Sequence, residues 1–352
     1  MDDHLSGLAN FFAAARALQE PLVMATVLAT TGSTYAKAGA RILLAPDGSA
    51  SGMLSGGCLE ADLRERAGRV LALGRPQRVR FDSRIDDDPI WGMGSGCEGA
   101  MEVWLEPVAA PLYPAVSYLN ACLERDAPGA IATVVGGDAT ATELGAHAHA
   151  DSPSADGLGA MLAAAAAAAV SRPPHLRRFA FGGREIEIFV APVALPTSLL
   201  VLGAGLDAIP LHDFAADLGW RVTIYDHRPA FASPASFAQA VRVLCGRPEE
   251  AAGRLAGMRF DAAVVMSHQL AADGEYLRWL AREPPRYIGL LGPPARRARL
   301  LLELGAALSP IADRVHGPAG LDIGATSSAA IALSIVAQIQ AVLAGRCGGR
   351  FG

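Results

Sequence analysis

SLLVLGAGLDAIPLHDFAADLGWRVTIYDHRPAFA, residues 198–232, is the stretch on which the fold of this chain turns. The apolar run at 199–202 reads as a buried strand. It enters Gly203-Ala204-Gly205, where missing Cβ atoms permit a tight turn and let backbone approach a phosphate. Ala208 takes the third small position. The helix that follows would aim free N–H groups and its positive dipole end at an anion. A second strand at 222–225 then delivers Asp226 about 20 residues on, where ribose recognition in a dinucleotide-binding βαβ unit asks for an acid. The pattern predicts a Rossmann-type domain with Gly203, Gly205 and Asp226 lining its crevice. Bound NAD(P) is one occupant that fits the pattern, and a crevice holding something else or nothing is the alternative. Two residues count against a dinucleotide: Pro210, which a helix tolerates only in its first turn, and Asp207, a negative charge beside the presumed pyrophosphate.

The alternation continues toward the C-terminus. Strands are expected at 241–244, 262–266 and 287–291, and helices at 249–256, 276–282, 296–304 and 327–344, which together make an α/β, doubly wound parallel sheet. Such sheets bind ligands at the carboxyl ends of their strands. That rule singles out Ser267-His268, Gly292-Pro293-Pro294 and the glycine-rich loop at 316–324 with Asp322. His268 and Asp273 could form an acid/base or ligand pair, although a helix-capping Asp and a partly buried His explain them as well. Asp322 is either an Asx-type turn or a ligand contact. The basic run Arg296, Arg297 and Arg299 reads as a solvated helix face.

The N-terminal half carries a degenerate duplication. LVMATVLATTG (22–32) is echoed by AIATVVGGDA (130–139), and MEVWLEPV (101–108) by IEIFVAPV (186–193). The alternation at 102–106 and 185–188 is the period-two signal of half-buried strands, and the alanine-rich 161–170 reads as a helix. The expected organisation is an N-terminal α/β domain at 1–195, built of related halves near 1–110 and 111–195, with a hinge at 192–196 and a Rossmann-like domain at 196–352. Two similar bends stand out in the first half: Ser55-Gly56-Gly57-Cys58-Leu59-Glu60 and Gly94-Ser95-Gly96-Cys97-Glu98-Gly99. Each places a thiol among glycines whose backbone N–H groups can cradle an oxyanion, and Cys58 would open a helix whose dipole favours the thiolate. A sulfur carrier or a soft-metal ligand needs that chemistry, while buried cysteines among turn glycines are the bland alternative. Thr30 to Thr34 add hydroxyls and Arg41 a charge beside a possible anion.

Composition narrows the rest. With 352 residues, 51% hydrophobic and 18% charged, the chain can bury sizeable cores. A net charge of -5 gives no basic field for nucleic acid. The acidic opening Met1-Asp2-Asp3-His4 lacks the positive region of a secretory signal, and no apolar stretch reaches membrane-span length, so a cytoplasmic protein is expected, without a membrane partner. Five scattered cysteines, with no C-x-x-C, argue against a disulfide framework or a structural zinc site. Hydrolase and kinase motifs are missing. Apolar residues on the final helix make a homodimer the expected assembly.

Seven segments in order resemble the XdhC/CoxI family of xanthine dehydrogenase accessory proteins: ATVLATTGSTYAKAGARILL (25–44), GMLSGGCLEADL (52–63), GMGSGCEGAMEVWLEP (92–107), LGAGLDAIPL with YDHRPAFA (202–232), AAVVMSHQLAADGEYL (262–277), YIGLLGPPARRARLL (287–301) and GPAGLDIGATSSAAIALSIVAQI (317–339). The resemblance implies an accessory chaperone, not an enzyme with turnover of its own. Such a protein binds the molybdenum cofactor (molybdopterin) as cargo, assists its sulfuration by a cysteine desulfurase and passes it to a molybdenum hydroxylase apoenzyme. It makes Cys58 and Cys97 the residues for contact with molybdenum or sulfur, with Ser55, Gly56, Gly57, Gly96, Glu98 and Gly99 around them. Gly203, Gly205, Asp226, His268 and Asp322 would line the nucleotide crevice. The rival reading is an NAD(P)-dependent oxidoreductase that uses His268 with Asp273 for proton transfer.

Overall fold

The computed structural model describes residues 5–57, 59–82, 99–108, 114–153 and 157–349. The chain divides into two compact units, Met1–Leu195 and Pro196–Gly352.

The first unit holds helix α1 (Leu5–Ala17), strands β1 (Leu22–Gly32), β2 (Arg41–Leu44) and β3 (Ala50–Gly52), helix α2 (Glu60–Leu73), and strands β4 (Gln77–Asp82) and β5 (Gly99–Val108). Helix α3 (Pro114–Arg125) leads into β6 (Gly129–Gly137), β7 (His147–His149), α4 (Leu158–Ala167), β8 (His175–Phe181) and β9 (Arg184–Val193). Two antiparallel sheets result, ordered β3-β2-β1-β5-β4 and β7-β6-β9-β8. They repeat one plan. In each, a long opening strand lies beside the closing one, which hairpins with the strand before it. The opening strands even bulge alike: pairing shifts between Val27 and Ala29 in β1 and between Val134 and Gly136 in β6. The bulged residues, Leu28 and Val135, meet with Trp104 and Phe189 in one buried cluster between the sheets. On its outer face the first sheet is covered by α2, and the second by α4. The duplication read from the sequence is therefore a duplication of structure.

The strands at 101–108 and 186–193 are more deeply buried than their alternation predicts, because the sheets cover each other. Two of their acids are paired. Arg78 on β4 bridges Glu102 of β5 and Glu187 of β9, the same position in the two halves. Arg41, expected beside an anion, instead lines a slot between the sheets with Glu106. Burial pushes the Glu106 carboxyl up to about 7, against the opposing pull of the Trp104 indole and Arg41. The sign follows from linkage. The folded chain keeps a proton that the unfolded chain, with an ordinary value of 4.5, has already released, so stability falls as pH rises from 4.5 to about 7 and is level beyond. Glu106→Gln is expected to flatten that slope and to raise the unfolding free energy at pH 8 by on the order of 1–3 kcal/mol, seen as a higher urea midpoint. Equal midpoints of variant and wild type at pH 5 and pH 8 would count against a protonated Glu106.

The second unit runs β10 (Ser198–Leu202), α5 (Ala208–Asp217), β11 (Arg221–Asp226), β12 (Arg242–Cys245), α6 (Ala251–Arg254), β13 (Ala262–Val265), α7 (Leu270–Leu280), β14 (Tyr287–Leu290), α8 (Pro294–Leu304), β15 (Val315–His316) and α9 (Ser328–Leu343). Its six strands are all parallel, in the order β12-β11-β10-β13-β14-β15. Counted from β10 this is 3-2-1-4-5-6, the doubly wound Rossmann order, with its switch point between β10 and β13. After Ser198, strands β10 and β13 are apolar throughout because helices cover both faces of the sheet. Pro210 is the third residue of α5, within the first turn, where its missing N–H leaves no intrahelical acceptor unserved. Helix α9 buries Ala332, Ile335, Val336 and Ile339 in the core. Of its large apolar side chains Leu333 is the one left exposed, so that helix gives the homodimer expectation little support.

Candidate functional site

The glycine turn after β10 is built by close packing. Gly203 has φ 127° and donates its N–H to the Tyr225 carbonyl at 2.8 Å. A Cβ there would run into the Met266 carbonyl at the end of β13. A Cβ on Gly205 would crowd the Asp207 carboxylate. Asp226, at the end of β11, is fully buried and accepts from the Ala204 N–H at 2.6 Å. Its other hydrogen bonds come from Arg228, whose backbone N–H, Nε and Nη2 donate to the same carboxylate at 2.7, 3.0 and 2.7 Å, and His227 Nδ1 lies 3.5 Å from its Oδ1. Burial alone would raise the Asp226 carboxyl; the guanidinium and the two backbone donors outweigh it and hold the group below the ordinary carboxylate range.

Beside this turn a cavity of about 740 Å³ opens at the carboxyl ends of β10, β13 and β14 and in the loop after β15. Leu211, Met266, Leu291, Ile331 and Ile335 make its walls apolar, and Asp207, His268, Asp322 and Ser328 supply polar groups. This mixture is what a small-molecule pocket presents. His268 sits at the end of β13 with φ 62°, a left-handed backbone that a non-glycine residue adopts only where its surroundings impose it. Its Nε2 lies 2.9 Å from Oδ2 of Asp207. His268 therefore pairs with Asp207 and not with Asp273, the pairing that the sequence had left open beside a helix-capping role for the acid. Asp273 lies in the first turn of α7, 1% exposed, where it accepts from Ser267 Oγ at 2.5 Å and from Arg296 Nε and Nη2 at 3.1 and 2.6 Å. The basic run of α8 is corrected with it: Arg296 serves Asp273, Arg297 donates to the Val315 carbonyl at 3.1 Å, and Arg299 pairs with Glu303 on the surface.

The loop that carries Asp322 is tied to α9 by two residues that sequence reasoning missed. Gln338 Oε1 accepts from the Gly320 N–H at 2.8 Å and from the Tyr287 hydroxyl at 2.7 Å. Ser334 Oγ donates to the Leu321 carbonyl at 2.8 Å. Their signal is two polar residues four apart, hence on one face of a largely apolar helix. Ser327 caps the same helix, accepting from the Ala330 N–H at 3.2 Å.

In the first unit, Ser55 and Glu60 hold the glycine bend before α2. Glu60 accepts from the Ser55 N–H at 3.0 Å and from its hydroxyl at 2.6 Å, and Ser55 Oγ accepts from the Gly57 and Leu59 N–H groups at 3.3 and 2.9 Å. Both carboxylate oxygens of Glu60 are therefore engaged. Gly57 has φ 116° and needs its missing Cβ for that backbone, while neither Gly56 nor Gly57 has a neighbour that a Cβ would meet. Gly99 opens β5, where a Cβ would strike the Ser33 carbonyl, so packing accounts for that glycine. Cys58, Gly96, Cys97 and Glu98 lie outside the described residues. Among the described residues no group of three or more His, Cys, Asp or Glu side chains could hold a metal ion, and no helix is long and apolar enough to cross a membrane.

Comparison with known proteins adds to this geometry. Residues 199–339 match the family described as XdhC Rossmann domain, and residues 15–82 match the XdhC and CoxI family. A Bacillus subtilis protein described as a probable xanthine dehydrogenase subunit is 31% identical over 329 residues, which cover 91% of this chain and 93% of the relative. The molybdenum cofactor insertion chaperone PaoD of Escherichia coli is 23% identical over 97% of this chain and 89% of its own. A Bacillus halodurans crystal structure described as a xanthine dehydrogenase superposes with a TM-score of 0.80 at 28% identity, over 98% of this chain and 97% of that one.

Proposed function

This chain belongs to the XdhC and CoxI family, and on that premise we propose that it is an accessory factor of a xanthine dehydrogenase type enzyme, one that binds the molybdenum cofactor, assists its sulfuration with a cysteine desulfurase and delivers it to the apoenzyme. The observation that carries the reading is the 740 Å³ cavity at the Rossmann switch point. Its volume lies in the range of small-molecule sites, and its apolar walls suit the flat faces of a pterin. Polar groups at its mouth suit the pterin's hydrogen-bonding edge. Likeness to a cofactor insertion chaperone over nearly the whole chain supports the same assignment. A carrier needs a pocket and a release route, not an acid/base pair, and Asp273, the proton-transfer partner that an oxidoreductase would use, is already bound to Arg296.

The test is anaerobic binding of purified molybdenum cofactor to the full chain, followed by transfer to the apoenzyme. Wild type is expected to bind stoichiometrically. Ile331→Trp, which fills the cavity from a partly exposed wall, is expected to weaken binding at least about tenfold, equivalent to 1.4 kcal/mol. Failure of the wild type to bind the cofactor overturns the proposal, and unaltered binding by Ile331→Trp moves the site out of this cavity.

A further inference from the structure

The dinucleotide pattern asks Asp226 to accept from a ribose hydroxyl, and in this chain that carboxylate has nothing left to offer. It is fully buried, and four donors already fill its two oxygens: the Arg228 backbone N–H and Nε on one, the Ala204 N–H and Arg228 Nη2 on the other. The guanidinium also rests over an aromatic face, with its carbon 4.3 Å from the centre of the Phe231 ring. A bidentate arginine–carboxylate pair combines charge with fixed geometry. A ribose would therefore have to displace a fitted cation from a buried anion. The cavity tells the same story from the other direction. Its lining comes from the glycine turn and α5, the ends of β13 and β14, the loop after β15 and α9; no residue of β11, β12 or the segment between them takes part.

We infer that Arg228 is a specificity-determining residue that closes the adenosine half of the crevice, so that the second unit takes a compound with a single flat ring system and rejects dinucleotides. The cavity serves the side of the switch point opposite Asp226, and a ligand confined there reaches the Asp207–His268 pair without entering the arginine's ground. Asp226 consequently works for the fold, pinning the glycine turn through Ala204, rather than for a cofactor. The inference rests on the cargo proposal for the identity of the ring system and stands apart from it for the rejection of dinucleotides.

The experiment is titration of NAD, NADP and ADP-ribose, by calorimetry, into the full-length wild type, Arg228→Gln and Arg228→Lys, each first checked for a cooperative melt. Wild type is expected to show no saturable binding, with Kd above about 1 mM for all three. Arg228→Gln, which frees the carboxylate, is expected to gain at least about tenfold for NAD and ADP-ribose, and Arg228→Lys, which keeps charge but loses the fork, to gain less. Micromolar NAD or ADP-ribose binding by the wild type overturns the inference whether or not the variants fold. Wild-type NADP binding that Arg228→Gln abolishes also overturns it, since the arginine would then read a 2′-phosphate. So does a failure of both folded variants to gain affinity. None of these titrations uses the molybdenum cofactor: a wild type that binds neither cofactor nor nucleotide defeats the cargo proposal and leaves the closure by Arg228 in place.

Discussion

Replacing Asp273 with alanine is expected to destabilise the chain by about 3–5 kcal/mol, the range for removing one member of a buried ion pair. The loss comes less from the bond itself than from what remains. Arg296 keeps its charge with its side chain 21% exposed, in a place where its stem already occupies the space left by the missing Cβ of Gly292. Ser267, fully buried, loses its acceptor at 2.5 Å and is left with the Gln269 carbonyl at 3.2 Å. Because Asp273 joins α7 to α8 and to the end of β13, the damage would reach the wall of the cavity through Met266 and His268. Asp273→Asn retains shape and one acceptor and should lose less than the alanine variant. The urea midpoint decides the matter, and a change under about 1 kcal/mol would mean that solvent screens the pair as it does at a protein surface.

The second large effect concerns the thiols. The double variant Cys58→Ala, Cys97→Ala is expected to reduce activation of the client enzyme to the level seen without the chain. Thiolate is the soft donor that molybdenum and sulfur chemistry calls for, and neither alanine nor a hydroxyl supplies it; Cys→Ser at both positions should therefore fail in the same way. Next to Cys58 in sequence, Glu60 holds Ser55, whose hydroxyl accepts from the N–H groups of Gly57 and Leu59. Single variants separate the two cysteines, with activated client measured after anaerobic reconstitution. Full activation by the double variant would leave the thiols without a role in transfer.

What the sequence made legible was local or periodic. The order strand, glycine turn, helix, strand at 198–232 folds as read, because small residues at 203 and 205 and an acid at 226 answer to geometry fixed within the βαβ unit itself. The duplication was readable because two copies of a pattern survive in one chain. Partners across the fold were not. His268 looked nearest to Asp273, five positions on, but a left-handed residue at the strand end turns its ring toward Asp207, 61 positions earlier. Arg228 was within reach of a sequence argument, two residues after the acid it binds, yet nothing local shows that it fills the acid completely. The surface character assigned to Arg296 failed for a related reason: helix periodicity tells which face a residue shares, not which neighbouring helix places a buried carboxylate opposite it.

The repeated hairpins of the first unit have one further consequence. Position for position, Glu106 of β5 answers to Ala191 of β9, and both side chains border the slot between the sheets. Two identical protomers meeting as these halves do would have to seat two carboxyl groups in that slot or none, and like charges at such range cannot both ionise. A chain that carries both copies covalently escapes that symmetry: one half can keep an acid and the other a methyl group, each shaped by the other as two products of a single gene never could be.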